Sequence, residues 1–306
     1  MYLIKNAKIY APECLGIQDV LIGGGKILKI AKNLPTEAAY DVEVVDGTGK
    51  VLFPGLIDAH VHILGGGGEG GAKTRTPEIM LTDITKAGVT TVVGCLGTDG
   101  CTRTMTNLLA KAKGLEEEGI TTYVYTGSYQ VPVRTVTGSI MDDLILLDKV
   151  VGCGEIAISD HRSSQPTKED FAKIVADTRV GGILSAKAGL VNVHMGDGEE
   201  KLEYLKHVLD NSMIPPTQML PTHINRSMTL MKDAVLQDGV SLEDALKPVT
   251  LNPAKLLKLD YKGKIFENAD ADLVLAEEET LEMVSVMAKG VFMIHEKKVL
   301  VKGTFE

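Results

Sequence analysis

Between residues 55 and 261, apolar runs of strand length alternate with longer helical patterns, and this alternation constrains the fold more than any other feature. Parallel strands need a crossover of about a dozen residues or more between them, which a helix supplies, so the pattern predicts βαβ units around a parallel sheet. Strands are expected over 56–63, 90–97, 121–129, 152–159, 190–197 and 219–225, with helices such as Thr104 to Glu118 and Lys168 to Ala186 between them. After the sixth strand the chain passes straight into helical patterns. These run from Met228 to Asp238, from Ser241 to Leu246 with a capping-box start, and onward from Asn252-Pro253. A closed eight-stranded barrel takes about 250 residues; this span is shorter and offers six strands.

The two ends read differently from the middle. Leu3-Ile4, Asp19–Ile22, Lys26–Ile30 and Val42–Val45 are short β segments, with a turn at Gly23-Gly24-Gly25. Ala271–Ala276, Val284–Val286 and Val291–Ile294 repeat that character near the C-terminus. The expected fold is α/β: an incomplete (β/α) barrel over 55–261, and a small β domain built from 1–54 and 262–306. A net charge of −9 argues against nucleic acid or an anionic membrane as partner, since both favour a basic face. Cys14, Cys95, Cys101 and Cys153 form no C-x-x-C pair and read as reduced thiols. With no long apolar N-terminal run, the expected location is cytoplasmic.

Polar groups recur where the strands end. In Phe53-Pro54-Gly55-Leu56-Ile57-Asp58-Ala59-His60-Val61-His62, two histidines stand one residue apart, so in a strand both imidazoles face one side. Strand three leads to Tyr129, strand four carries Glu155 and runs into Ser159-Asp160-His161-Arg162, strand five holds His194 and strand six His223. Active sites of parallel barrels are built at that face. Four imidazoles and one carboxylate suffice for two metals bridged by the carboxylate and a hydroxide, each lowering the pKa of bound water. His207, inside a helix, and His295, in the C-terminal β segment, read as structural or surface groups. The glycine-rich loop 65–71 lacks the G-K-[ST] ending of a phosphate loop and suits close backbone approach to a substrate.

The segments His60-Val61-His62, Gly65-Gly66-Gly67-Gly68-Glu69, Gly97-Thr98-Asp99, Thr126-Gly127-Ser128-Tyr129, Ser159-Asp160-His161-Arg162, His194-Met195-Gly196-Asp197 and Pro221-Thr222-His223-Ile224-Asn225-Arg226 resemble isoaspartyl dipeptidases of the amidohydrolase superfamily. The resemblance implies a zinc-dependent metallopeptidase that cleaves the β-aspartyl bond of dipeptides by attack of a metal-bridging hydroxide. It implies two zinc ions, one on His60 and His62 and the other on His194 and His223, with Glu155 as the bridge where many relatives have a carbamylated lysine. Tyr129 would polarise the scissile carbonyl. Glu69 would take the substrate ammonium, and Gly67, Thr98, Arg162 and Arg226 would surround its carboxylates. A homo-oligomer, an octamer in the family, is implied as well.

One departure matters. Relatives carry a catalytic aspartate at the end of strand eight, and this chain runs from Arg226 at strand six to the last barrel helix. Asp233 and Asp238 fall in a helical pattern and do not substitute for it. An impaired enzyme that folds poorly is therefore expected, with the first metal the weaker bound. The alternatives are a cyclic-amide hydrolase of the dihydroorotase or hydantoinase kind, which the Glu69 loop and the Tyr129 context oppose, and a non-catalytic metal-binding remnant.

Overall fold

The computed structural model describes residues 1–36, 41–223 and 241–306. The expected helix at Met228–Asp238, the end of the sixth strand and Arg226 lie outside the described residues.

The chain begins with β1 (Tyr2–Tyr10), β2 (Cys14–Gly23), β3 (Lys26–Ala31), β4 (Glu43–Asp46) and β5 (Lys50–Pro54). It continues through β6 (Leu56–Val61), α1 (Leu81–Thr85), β7 (Val89–Gly94), α2 (Met105–Glu117), β8 (Thr121–Thr126), α3 (Ile140–Leu146) and β9 (Val150–Ile158). Next come α4 (Lys168–Leu184), β10 (Leu190–Met195), α5 (Glu203–Asn211) and β11 (Met219–Thr222). After α6 (Leu242–Leu246) and α7 (Leu251–Leu256), the chain ends in β12 (Leu273–Glu277), β13 (Met283–Ala288), β14 (Val291–His295) and β15 (Lys298–Val299).

Both ends join one mixed sheet, in the order β15-β14-β13-β12-β5-β1-β2-β3 with β4 beside β1. Its β2–β3 hairpin turns on Gly24 and Gly25, with φ of 60° and 78°, the left-handed pair that a two-residue hairpin loop requires. Among the described residues, the six-strand expectation for the middle holds. Strands β6 to β11 pair in sequence order, all parallel, as an open and incomplete barrel of the amidohydrolase type. Most strands end two or three residues earlier than expected, because the polar residues at their ends have already left the ladder.

Helices cover the outer face, and their starts are set by local chemistry. The Thr104 hydroxyl accepts from Asn107 N, and Thr167 and Asp170 cap α4 reciprocally. The outer core includes Val92, Leu108, Val124, Ile156, Phe171, Val175 and Val193. On the other face, Ala254 and Leu257 from α7 and its end cluster with Ile57, Val93, Tyr125, Val151 and Leu190. The last helix of the middle segment thus lies against the apolar side that further strands would enclose in a closed barrel.

Candidate metal centre

Glu155 sits in β9, whose nine residues are all buried, and a carboxylate there demands partners. The β9–β10 ladder slips at this point. Cys153 pairs with Val191 and Ile156 with Val193, so Gly154 and Glu155 together face Asn192 alone. Such a bulge re-aims the side chain it carries. Gly154 has φ of 140°, and a Cβ there would lie 2.4 Å from Asn192 O, so only glycine fits.

Each Glu155 oxygen meets a pair of imidazoles. Oε2 lies 3.5 Å from His60 Nε2 and 3.7 Å from His62 Nε2, and among the described residues it has no hydrogen-bond partner although fully buried. Oε1 lies 2.6 Å from His194 Nδ1 and 3.0 Å from His223 Nε2. The potential ligand atoms of His60, His62, Cys95 and Glu155 all fall within 4.8 Å of one another, and so do those of Glu155, His194 and His223. A buried carboxylate oxygen with no donor among the described residues, faced by two imidazole nitrogens, fits a divalent cation, and neutral nitrogens with a carboxylate suit a metal of the zinc type.

The electrostatics agree with that fit. Burial works to raise the Glu155 carboxyl, but the hydrogen bonds from His194 and His223 outweigh it and hold it at about 2. Burial depresses His60, against the opposing pull of Glu155, which favours the neutral ring that a metal needs.

Tyr129 stands beside this centre, its hydroxyl 2.6 Å from His194 Nδ1. His62, Gly67, Glu69, Thr98 and Tyr129 line one narrow space of about 40 Å³. Glu69 accepts from Thr98 Oγ1 at 2.8 Å and pairs with Arg162 Nη1 at 3.1 Å, and these partners, Thr98 first, hold its carboxyl below the usual range. Arg162 also binds Asp160, which holds its guanidinium still more firmly charged. A wider cleft of about 430 Å³ opens on the Asp160–Arg162 side. The structure therefore brings together His60, His62, Glu155, His194, His223 and Tyr129, with Gly67, Glu69, Thr98 and Arg162 at the rim; Arg226 is outside the described residues.

Four groups in this neighbourhood escaped the sequence reading. Asp160 Oδ2 lies 3.0 Å from His194 Nε2, and Asn192 Oδ1 lies 3.2 Å from His60 Nδ1. Cys95 is buried, with Sγ 3.7 Å from His62 Nδ1. Arg103 binds the backbone carbonyls of Leu64, Gly66 and Gly67. Asp160 had a signal, since it stands in the strand-end segment with Arg162; the others are placed only by tertiary contact.

The amidohydrolase family model matches residues 209–304. Among curated proteins, the adenine deaminase of Lactobacillus delbrueckii subsp. bulgaricus is 27% identical over 94% of this chain, and the chain spans 58% of that protein's length. The dihydroorotase of Bacillus cytotoxicus is 41% identical over 30% of the chain, which spans 20% of that relative's length. A crystal structure of β-aspartyl dipeptidase from Fervidobacterium islandicum AW-1 superposes with a TM-score of 0.93 at 43% identity, covering 97% of this chain and 98% of that one. A second structure of that protein, in complex with β-Asp-Leu, gives 0.92 at 41% identity with the same coverage. At D-hydantoinase, identity drops to 15% with a TM-score of 0.65, a likeness of fold alone. Fold, centre and likeness over almost the whole chain agree: the chain belongs to the β-aspartyl dipeptidase family of the amidohydrolase superfamily of hydrolases.

Proposed function

We propose that this protein hydrolyses the β-aspartyl peptide bond of dipeptides at the Glu155 centre, with two zinc ions as cofactors. The carrying observation is the opposite-charge rim: Glu69 and Arg162 stand 3.1 Å apart, beside Tyr129 and His62. A β-aspartyl dipeptide presents one ammonium and two carboxylates, so it can replace that internal pair with pairs of its own. Glu69 accepts the ammonium, and Arg162 and Arg226 take carboxylates, for which the planar guanidinium fork is well shaped. Thr98 and the backbone at Gly67 complete the rim.

When bound, the ions supply Lewis acidity that brings a water's pKa toward neutrality. His60, His62 and Glu155 would hold one ion, and His194, His223 and Glu155 the other. The Tyr129 hydroxyl donates to the carbonyl oxygen as negative charge develops on it. The proton for the leaving amine is the work of the strand-eight aspartate in relatives, and no described side chain is assigned that role. General acid–base help is worth about 10² to 10⁴-fold, so turnover is expected to be slow for the family.

A substrate panel tests this reading. Zinc-loaded protein should cleave β-Asp-Leu and leave α-Asp-Leu, dihydroorotate and hydantoin intact. Ring opening of either cyclic amide in preference to β-Asp-Leu would overturn it.

A further inference from the structure

Asn192 is fully buried in β10, between Val191 and Val193 and two residues before His194. An amide in such a strand costs stability unless both ends are bonded. Here one end is not. Nδ2 makes no hydrogen bond of good geometry among the described residues, although the Tyr125 hydroxyl is close enough to be perturbed by it. Oδ1 points at His60 Nδ1, 3.2 Å away. Asn192 also stands opposite the bulge that re-aims Glu155, so one position touches both the bridging strand and a ring of the centre.

The ring nitrogens decide what this contact does. His60 Nε2 is the atom that faces Glu155 Oε2, and a nitrogen that ligates an ion carries no proton. The ring proton must then sit on Nδ1, where it needs an acceptor. Two of the other rings face different acceptors. His62 Nδ1 faces the backbone oxygen of Cys95 at 3.4 Å, and His194 Nε2 faces the Asp160 carboxylate. An aspartate in place of Asn192 would also accept, but it would add a charge beside the closed-in Glu155. An asparagine accepts without charge.

We propose that Asn192 is the positioning residue of His60: its Oδ1 accepts the Nδ1 proton, fixes the tautomer and ring plane, and presents Nε2 to the ion shared with His62 and Glu155 Oε2. This rests on the metal reading above and goes beyond it, since it assigns a role to a residue that touches neither substrate nor ion.

The test uses the full chain, zinc as the probe and a competing chelator, with nitrogen NMR of ¹⁵N-histidine-labelled protein. Replacing such partners typically lowers metal affinity by about 10 to 100-fold. Asn192→Leu should lose that much at the His60–His62 ion and keep the parental affinity at the His194–His223 ion, which also reports an intact pocket. Asn192→Asp should retain both ions. His60 should be protonated at Nδ1 in the zinc-loaded parent and in Asn192→Asp. If Asn192→Leu does not fold, those two spectra decide, and a His60 ring protonated at Nε2 in either overturns the proposal. Parental affinity for both ions in Asn192→Leu also overturns it, while leaving the centre itself standing. A parent that binds no zinc overturns the centre and this inference together.

Discussion

At the scale of single residues, the Tyr129 hydroxyl and Glu155 Oε1 both lie 2.6 Å from His194 Nδ1, so a small change there separates binding from chemistry. Tyr129→Phe removes one donor from the developing oxyanion and no proposed metal ligand. Steady-state kinetics should show kcat down about 10² to 10³-fold, the usual cost of one such donor, with KM and zinc content little changed. Equal losses of zinc and kcat would instead make Tyr129 a support for the metals. The clustering of the proposed ligands was legible because a strand's period of two turns His60-Val61-His62 into one face, and because strand ends in parallel sheets are where function collects. Asn192 and Arg103 were not legible. An asparagine within an apolar strand and an arginine in a loop acquire meaning only from the partner that tertiary folding brings, His60 for one and loop carbonyls for the other.

At the scale of elements, the loop that carries Glu69 is held from below. Arg103 is buried and donates through Nε to Leu64 O at 3.1 Å, Nη1 to Gly67 O at 3.2 Å and Nη2 to Gly66 O at 2.9 Å. Hydrogen bonds from a charged group contribute about 1.5–3 kcal/mol each, so removing the fork frees the loop. Arg103→Ala should raise KM for β-Asp-Leu at least about tenfold, a change of ~1.4 kcal/mol, with metal content unchanged; an unaltered KM would show that the loop holds itself. A second tie lies between α7 and β12. Lys262, buried, binds Asp272 and also Asp270 at 3.0 Å. Burial alone would lower the Lys262 amine, but the two carboxylates overcome this and raise it above 10.5, while Lys26 and Lys262 overcome burial to hold Asp270 below 3.8. The raised lysine stabilises the fold fully below pH 10.5 and ceases to as pH rises through its folded value. The depressed Asp270 does so above pH 3.8 and ceases to as pH falls through its own. Lys262→Ala leaves Asp272 buried and unpaired, a loss of about 3–5 kcal/mol by denaturant melts at neutral pH. The difference from the parent should narrow at both extremes of pH. The alternation of strand and helix was readable because each period is local, but Lys50–Pro54, the strand β5 that leads up to Pro54-Gly55, was not read as a strand.

At the scale of the whole molecule, the described parallel sheet ends at β6 on one side and β11 on the other, and among the described residues neither edge has a second neighbour. Open edges invite pairing between chains, and α7 covers part of the inner face without replacing strands. Light scattering and thermal melts of the purified protein should therefore show concentration-dependent association and a low melting temperature; a monodisperse species stable to high temperature would contradict this. The six described parallel strands were legible from the alternation alone, whereas the covering of part of the inner face by α7 depends on contacts between residues far apart in sequence. All of this serves one arrangement, a buried carboxylate with a pair of imidazoles at each oxygen, and metal stoichiometry tests it most directly. Elemental analysis after zinc reconstitution and removal of loose metal should find two ions per chain, one for each group around Glu155, and Glu155→Ala should lose both. A parent that retains no zinc, or a Glu155→Ala protein that still holds two ions, would contradict the account.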